Sequence, residues 1–308
     1  MNLATRACDL EFQNPVVLAA GTCGFGMELD DVLELEALGG FVTKSVTLEP
    51  RIGNPAPRVV EFGGGKLNSV GLANPGLERV RGEKLPWIAR NVRRARVFVS
   101  VAGHTVEEFV RLVEGLDGSD GFAGFELNLS CPNDARRGGP PFALDPAAVT
   151  AIVSGCRART ERPLVAKLAP DDPDLPGTVR RAVEAGADAL TLVNTLPGLL
   201  VRADSGRNEL GAGEGGVSGP ALRPAGLRAV RAARSATRLP IFGVGGVLGP
   251  ADAAAYARAG ANLVQLGTAT FAAPRAGTSL VSGLDRWGRR HGVRAWDDLI
   301  APAGEASA

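Results

Sequence analysis

Histidine is almost missing from this chain: His104 and His291 are the only two in 308 residues. That argues against a zinc site built on imidazoles. The four cysteines, Cys8, Cys23, Cys131 and Cys156, contain no Cys-x-x-Cys pair. The chain is also too long for a small secreted disulfide frame, so they read as thiols in a reducing compartment. Charge of one sign is lacking too. Lys and Arg number 34 against 33 Asp and Glu, a formal net charge of +1. No basic stripe suggests nucleic acid, and the cluster from Arg90 to Arg96 reads as a solvated helix end. No uncharged apolar run reaches the roughly 18 residues of a membrane span. The opening MNLATRACDLEF lacks the apolar core of a signal peptide. These absences predict a cytoplasmic protein with no metal, no membrane and no nucleic-acid partner.

What is present is a large apolar fraction, 45%, distributed in a repeating pattern. Short, nearly continuous apolar runs recur at 14–20, 40–46, 97–103, 124–130, 164–170, 189–195, 239–246 and 263–270. Strands buried on both faces have this character, because a parallel sheet carries helices outside and packed side chains inside. Segments of helical periodicity lie between them. VEEFVRLVEGL (106–116) places Phe109, Val110 and Val113 on one side, and DDVLELEALG (30–39) is helix-like. Two Ala-Gly-Ala stretches precede strands, each a helix stop followed by a short turn. Eight strands with seven helical connections and a C-terminal helix predict an α/β fold, a (β/α)8 TIM barrel. An open dinucleotide-binding sheet would carry Gly-x-Gly-x-x-Gly after its first strand, which is absent here. The length accommodates one barrel of about 250 residues with additions. A single domain over residues 1–308 is therefore expected, with residues 2–14 as an N-terminal hairpin closing the barrel bottom. Residues from about 296 onward are expected to fray. Two long segments, 49–84 and 196–219, follow strand C-termini and read as inserted loops at the C-terminal face of the barrel, as lids or binding loops.

Barrel active sites lie at strand C-termini. The polar or small residues there are Lys44, Asn128, Ser130, Cys131, Lys167, Asn194, Thr195, Gly245, Gly246, Gly267 and Thr268. The set holds no carboxylate and no histidine, which excludes a two-carboxylate glycosidase. The glycines after strands seven and eight stand where barrels often hold phosphate, with backbone N–H groups and a helix N-terminus as donors. Lys44 and Lys167 end otherwise apolar strands. A lysine there suits an anionic ligand, a flavin whose reduced form is anionic, or Schiff-base chemistry; the blander alternative is an ammonium reaching solvent. Cys131 sits in NLSCPN, and a thiol there can serve as general base if its pKa is lowered. Taken alone, it is as easily a buried inert cysteine, as are the other three. Asn68, Asn128, Asn133 and Asn194 supply amides, which suit a planar ring of alternating N–H and C=O groups.

VTKSVTLEPR (42–51), GNPAPRVVE (53–61), KLNSVGLANPG (66–76), ELNLSCPN (126–133), GGVSGPALRP (215–224) and FGVGG (242–246) occur in this order. Together they resemble the class 1 dihydroorotate dehydrogenases, over residues 14 to about 274. TLEPRIGNPAPR and NTLPG are most similar to the 1B, NAD-linked catalytic subunits. The resemblance implies FMN in the barrel mouth, contacted by Ala20, Gly21, Lys44, Ser45, Ser100, Asn128, Lys167, Val193 and Gly219. Its phosphate would be held by Gly245, Gly246, Gly267 and Thr268. It implies a pyrimidine bound by Lys44, Asn68, Val70, Gly71, Leu72, Asn128, Asn133, Asn194 and Thr195. The catalytic group would be Cys131, Lys44 and Lys167, with Cys131 removing the C5 proton of (S)-dihydroorotate as a hydride leaves C6 for flavin N5. Lys167 would stabilise the reduced flavin. The product is orotate, in de novo pyrimidine synthesis. A 1B enzyme further implies a homodimeric core and an electron-transfer subunit with FAD and [2Fe–2S] that passes electrons to NAD.

The sequence departs from that family at Lys66, where Met is usual, at Ser100, where Asn is usual, and at Ala169, where Ser is usual. These departures motivate an alternative, a paralogous flavin dehydrogenase acting on another small cyclic or amide substrate in a specialised pathway.

Overall fold

The computed structural model describes residues 1–130 and 141–303. In chain order the strands begin with a hairpin, β1 (Thr5–Ala7) and β2 (Leu10–Phe12), followed by β3 (Val16–Leu18) and β4 (Gly40–Val42). A second hairpin, β5 (Val59–Phe62) and β6 (Gly65–Asn68), precedes β7 (Arg96–Val101), β8 (Gly124–Asn128), β9 (Leu164–Leu168) and β10 (Ala189–Leu192). Then come β11 (Leu196–Gly198), β12 (Gly215–Ser218), β13 (Ile241–Val244) and β14 (Leu263–Leu266). Helices α1 (Leu77–Arg79), α2 (Leu85–Asn91), α3 (Val106–Asp117), α4 (Pro146–Arg157), α5 (Leu175–Glu184), α6 (Arg223–Ala236), α7 (Pro250–Ala259), α8 (Ala269–Ala272) and α9 (Ala276–Arg290) lie between and after them.

Eight strands close into a barrel in the order β10-β13-β14-β3-β4-β7-β8-β9, every pair parallel. They are the eight apolar runs, in sequence order. The helices form the outer layer. Their caps are local: Thr105 accepts from the Glu108 N–H at the start of α3, and Asp145 accepts from Ala147 and Ala148 at the start of α4. On α3, Phe109, Leu112, Val113 and Leu116 are buried, the stripe that helical spacing predicts.

Alternation along each strand sends every second residue to the barrel axis. The lower interior is apolar. Val17, Val42, Phe98, Val165, Ala189, Phe242 and Leu263 pack with Ala7 and Phe12 of the β1–β2 hairpin. Phe12, 1% exposed, stacks on Phe98 at a 6.5 Å centroid separation and meets Phe242 edge-on at 6.4 Å. The hairpin thus stoppers the barrel, and whatever polar residues the strands carry inward lie above this plug.

Two expectations are corrected. The segment 30–39 is not an α-helix but ends in a 3-10 turn over Leu35–Ala37. There the Glu36 carboxylate accepts from the backbone N–H groups of Arg93, Arg94 and Ala95. Leu33, Leu35 and Leu38 are all buried, a spacing that one helical face does not satisfy. The chain also does not fray from 296. Trp296 is fully buried and donates its indole N–H to the Asn262 carbonyl at 2.8 Å. Leu299 is buried, and the Ala301 N–H reaches the Ala257 carbonyl at 3.1 Å.

Phe12→Ala removes the stopper and should cost about 3–5 kcal/mol of unfolding free energy. Urea unfolding followed by circular dichroism measures it.

Candidate active site at the barrel mouth

The two long segments that the sequence leaves as loops pair with one another. β11, β12, β6 and β5 form a four-stranded antiparallel sheet in that order. Gly216 stands opposite Asn68, and Ser218 opposite Lys66. Asn68 Nδ2 also donates to the Gly216 carbonyl at 3.0 Å. This sheet roofs a cleft whose floor is made by the strand C-termini. The cleft holds about 1240 Å3 of space, its open mouth included.

The floor is a hydrogen-bonded chain of side chains from successive strands. Ser100 and Ser45 share a bond of 2.8 Å between their hydroxyl oxygens. Asn128 Nδ2 donates to Ser45 Oγ at 3.1 Å. Asn194 Nδ2 donates to Asn128 Oδ1 at 3.1 Å and to the Ser130 carbonyl at 2.9 Å. Asn194 Oδ1 accepts from the Thr195 N–H at 2.8 Å. Linking β4, β7, β8 and the segment after β10 in this way fixes the amide planes before any ligand arrives.

Two lysines enter this floor. Lys44 follows β4, and its Nζ lies 3.7 Å from where a Cβ on Gly21 would stand. Lys167, on β9 and in register with Asn128, is 6% exposed. It ion-pairs with Glu126 at 3.4 Å. This carboxylate lies two residues below the end of β8, outside the polar set at the strand ends. The signal was present in ELN: on a strand with Asn128 facing inward, Glu126 two residues earlier must face inward as well. A third lysine, Lys66, also lines the cleft from the roof and ion-pairs with Glu61 on the neighbouring strand.

At the far end the backbone is bare. Gly245 and Gly246 have φ of 125° and 68°. A Cβ on Gly246 would lie 2.8 Å from Arg223 Cβ and 2.9 Å from the Gly219 carbonyl, so only glycine fits. Gly267 differs. A Cβ there would meet only Ala19 Cβ and Thr22 Cγ2, both at 3.7 Å, so its smoothness leaves room for something other than protein. Thr268 Oγ1 donates to Ser218 Oγ at 2.8 Å and ties this end to the roof. Among the described residues lining the cleft are three lysines and no Asp or Glu. A glycine cradle at one end, amides and ammonium groups at the other, and no lining anion fit FMN, whose phosphate and ring would occupy those two ends.

Of the residues expected to meet cofactor or substrate, Ala20, Gly21, Lys44, Ser45, Asn68, Val70, Gly71, Leu72, Asn128, Lys167, Val193, Asn194, Thr195, Gly219, Gly245, Gly246, Gly267 and Thr268 line this one cleft. Ser100 does not; it is fully buried behind Ser45. Cys131 and Asn133 lie outside the described residues. The remaining cysteines do not line the cleft. Burial pushes the Cys8 and Cys156 thiols up to about 12, and raises that of Cys23 as well, so all three stay protonated at neutral pH.

Comparison with known proteins follows the same line. The family model for dihydroorotate dehydrogenase matches residues 2–287. The catalytic subunit of dihydroorotate dehydrogenase B (NAD(+)) from Pelobacter propionicus is 42% identical over 299 residues, 97% of each chain. Its counterpart from Desulforudis audaxviator is 42% identical over 300 residues, again 97% of each. A protein of Solibacter usitatus, provisionally named dihydroorotate dehydrogenase A (fumarate), is 44% identical over 298 residues, 97% of each. Among solved structures, the dihydroorotate dehydrogenase of Eimeria tenella, crystallised with ferulenol, superposes with a TM-score of 0.82 at 21% identity, covering 97% of this chain and 88% of that one. That likeness supports the barrel fold.

Gly267→Val should leave the thermal midpoint of the apoprotein within a few degrees, because the position has room. It should weaken FMN binding by tenfold or more. Fluorescence quenching of FMN on titration with apoprotein measures the second effect and a melting curve the first.

Proposed function

This chain belongs to the dihydroorotate dehydrogenase family, and from that premise we propose that it oxidises (S)-dihydroorotate to orotate with FMN, in de novo pyrimidine synthesis. The observation that carries the reading is the cleft itself. An amide network running from Ser45 through Asn128 to Asn194 shares a floor with Lys44 and Lys167, beneath a roof bearing Asn68. Amides offer donors and acceptors in one plane, as the ring of dihydroorotate requires. The lysines complement its carboxylate. The domain is proposed to be one FMN-binding barrel over residues 1–308, in the cytoplasm. Among the described residues no helix is long and apolar enough to cross a membrane.

FMN, when bound, supplies the acceptor for the hydride that leaves C6. The protein's part is positioning and proton transfer. Asn68, Asn128 and Asn194 would orient the pyrimidine, with Asn133 and the Val70–Gly71–Leu72 backbone. Cys131 would take the C5 proton as its thiolate, the form of a cysteine that acts as a base. Lys167 would face the negative charge that develops on the cofactor's pyrimidine edge. Gly245, Gly246, Gly267 and Thr268 would hold the phosphate, with the N-terminus of α6 close by.

The relatives' names divide over the electron acceptor. The motifs TLEPRIGNPAPR (47–58) and NTLPG (194–198) support the NAD-linked reading, in which a separate subunit with FAD and [2Fe–2S] carries electrons onward. Lys66 favours a second reading. Its ammonium, paired with Glu61, brings to the cleft lining a charge where the family usually has Met, which suits a different small ring or amide.

Anaerobic titration of the purified yellow protein with dihydroorotate should bleach the flavin band, and a panel of other ring amides should not. Prompt reoxidation by fumarate would count against the NAD-linked reading. Cys131→Ala should slow flavin reduction by about a hundredfold or more while leaving FMN affinity unchanged. Stopped-flow absorbance measures the first and fluorescence titration the second.

A further inference from the structure

Glu126 lies inside the barrel beneath the cleft floor and takes no part in the mechanism above. It is 0% exposed. Its Oε1 receives Lys167 Nζ at 3.4 Å. Its Oε2 receives Thr191 Oγ1 at 2.8 Å and Gln265 Nε2 at 3.4 Å. Glu126, Thr191 and Gln265 come from β8, β10 and β14, alternate strands of the barrel, as a single interior layer requires. Every partner donates to the carboxylate. The buried Gln265 Oε1 has no hydrogen-bond partner among the described residues. Below the layer is the plug of Phe98, Phe242 and Phe12.

A buried carboxylate without a counter-charge is expensive, and so is a buried ammonium. The two stand together, but not at full contact. A charge-assisted N–H···O bond closes to about 2.7–2.9 Å, whereas Lys167 is held at 3.4 Å and also lines the cleft above. Its ammonium thus stands between Glu126 underneath and the open cleft on top.

We propose that Glu126 is a positioning residue. It holds Lys167 under the floor and offsets its charge, and so sets how strongly the site favours a reduced, anionic flavin. The inference rests on the FMN reading above. Without the carboxylate, Lys167 would present an uncompensated positive charge to the cofactor, and every form of the flavin that gains negative charge would be stabilised.

Sulfite tests this without turnover. It adds to oxidised flavin and leaves negative charge on the ring, and loss of the visible band gives its Kd. In the FMN-loaded protein, Glu126→Gln keeps the size and removes the charge. It should tighten sulfite about tenfold and shift the flavin equilibrium toward reduction by a similar factor, about 30 mV for a two-electron couple. Equilibration against a reference dye measures that shift. Glu126→Asp retains the charge and should stay within about threefold of the parent. Should Glu126→Gln fail to fold, the comparison moves to a Lys167→Gln background, where adding Glu126→Gln restores neutrality. The double variant should then bind sulfite within about threefold of Lys167→Gln alone, because no ammonium is left for the carboxylate to hold or offset. A flavin-loaded Glu126→Gln protein with unchanged sulfite affinity and potential overturns the inference, as does a Glu126→Asp protein that behaves like Glu126→Gln, or a double variant tenfold tighter than Lys167→Gln. All three leave the FMN reading standing. A parent protein that purifies colourless and takes up no FMN overturns the reading itself.

Discussion

A closed parallel barrel must fill its own interior, and it can do so only with every second residue of eight strands. That constraint divides this molecule along its axis. Low in the barrel the inward positions are apolar, and the N-terminal hairpin adds Phe12 to complete them. Higher up, the same alternation brings in Glu126, Lys167, Thr191 and Gln265. Such groups are tolerable there because each finds a partner. The floor of the cleft is thus the upper surface of a packed core rather than a set of loops, and its amides are held from below.

Charge distribution follows from the same division. Among the described residues the cleft is lined by lysines without carboxylates, but one carboxylate lies just beneath it. A ligand therefore meets a positive surface whose strength is moderated from the layer underneath. The opposite end works differently: bare backbone at Gly245, Gly246 and Gly267 offers N–H groups and space in place of side chains.

Much of this was legible in the sequence. The eight strands announced themselves as doubly buried apolar runs, and their C-terminal residues were a fair guide to the cleft lining, because strand alternation and barrel polarity leave few choices. What was not legible has specific causes. Glu126 is not a strand-end residue, and its exposure to the interior depends on the alternation of the whole strand. The roof was read as two separate loops because antiparallel pairing between β6 and β12 leaves no periodic trace in either segment. The 30–39 segment mimicked a helix, since a Leu- and Glu-rich stretch has helical propensity even where tertiary contacts of Glu36 choose a tighter turn. Trp296 escaped notice because one aromatic near a polar terminus carries no pattern at all.

The pairing in the roof also bears on the order in which the molecule comes into being. Asn68 and Gly216 are partners across 148 positions of chain, and the floor beneath them is complete only when β14 closes the barrel against β3. A chain emerging from the ribosome can stack its first strands and helices early, but it cannot enclose a ligand until almost all of it has been made. The cleft is whole only once the chain has been made through Phe271, and its roof joins two segments far apart in sequence: a shift in β6 meets the strand it pairs with, β12.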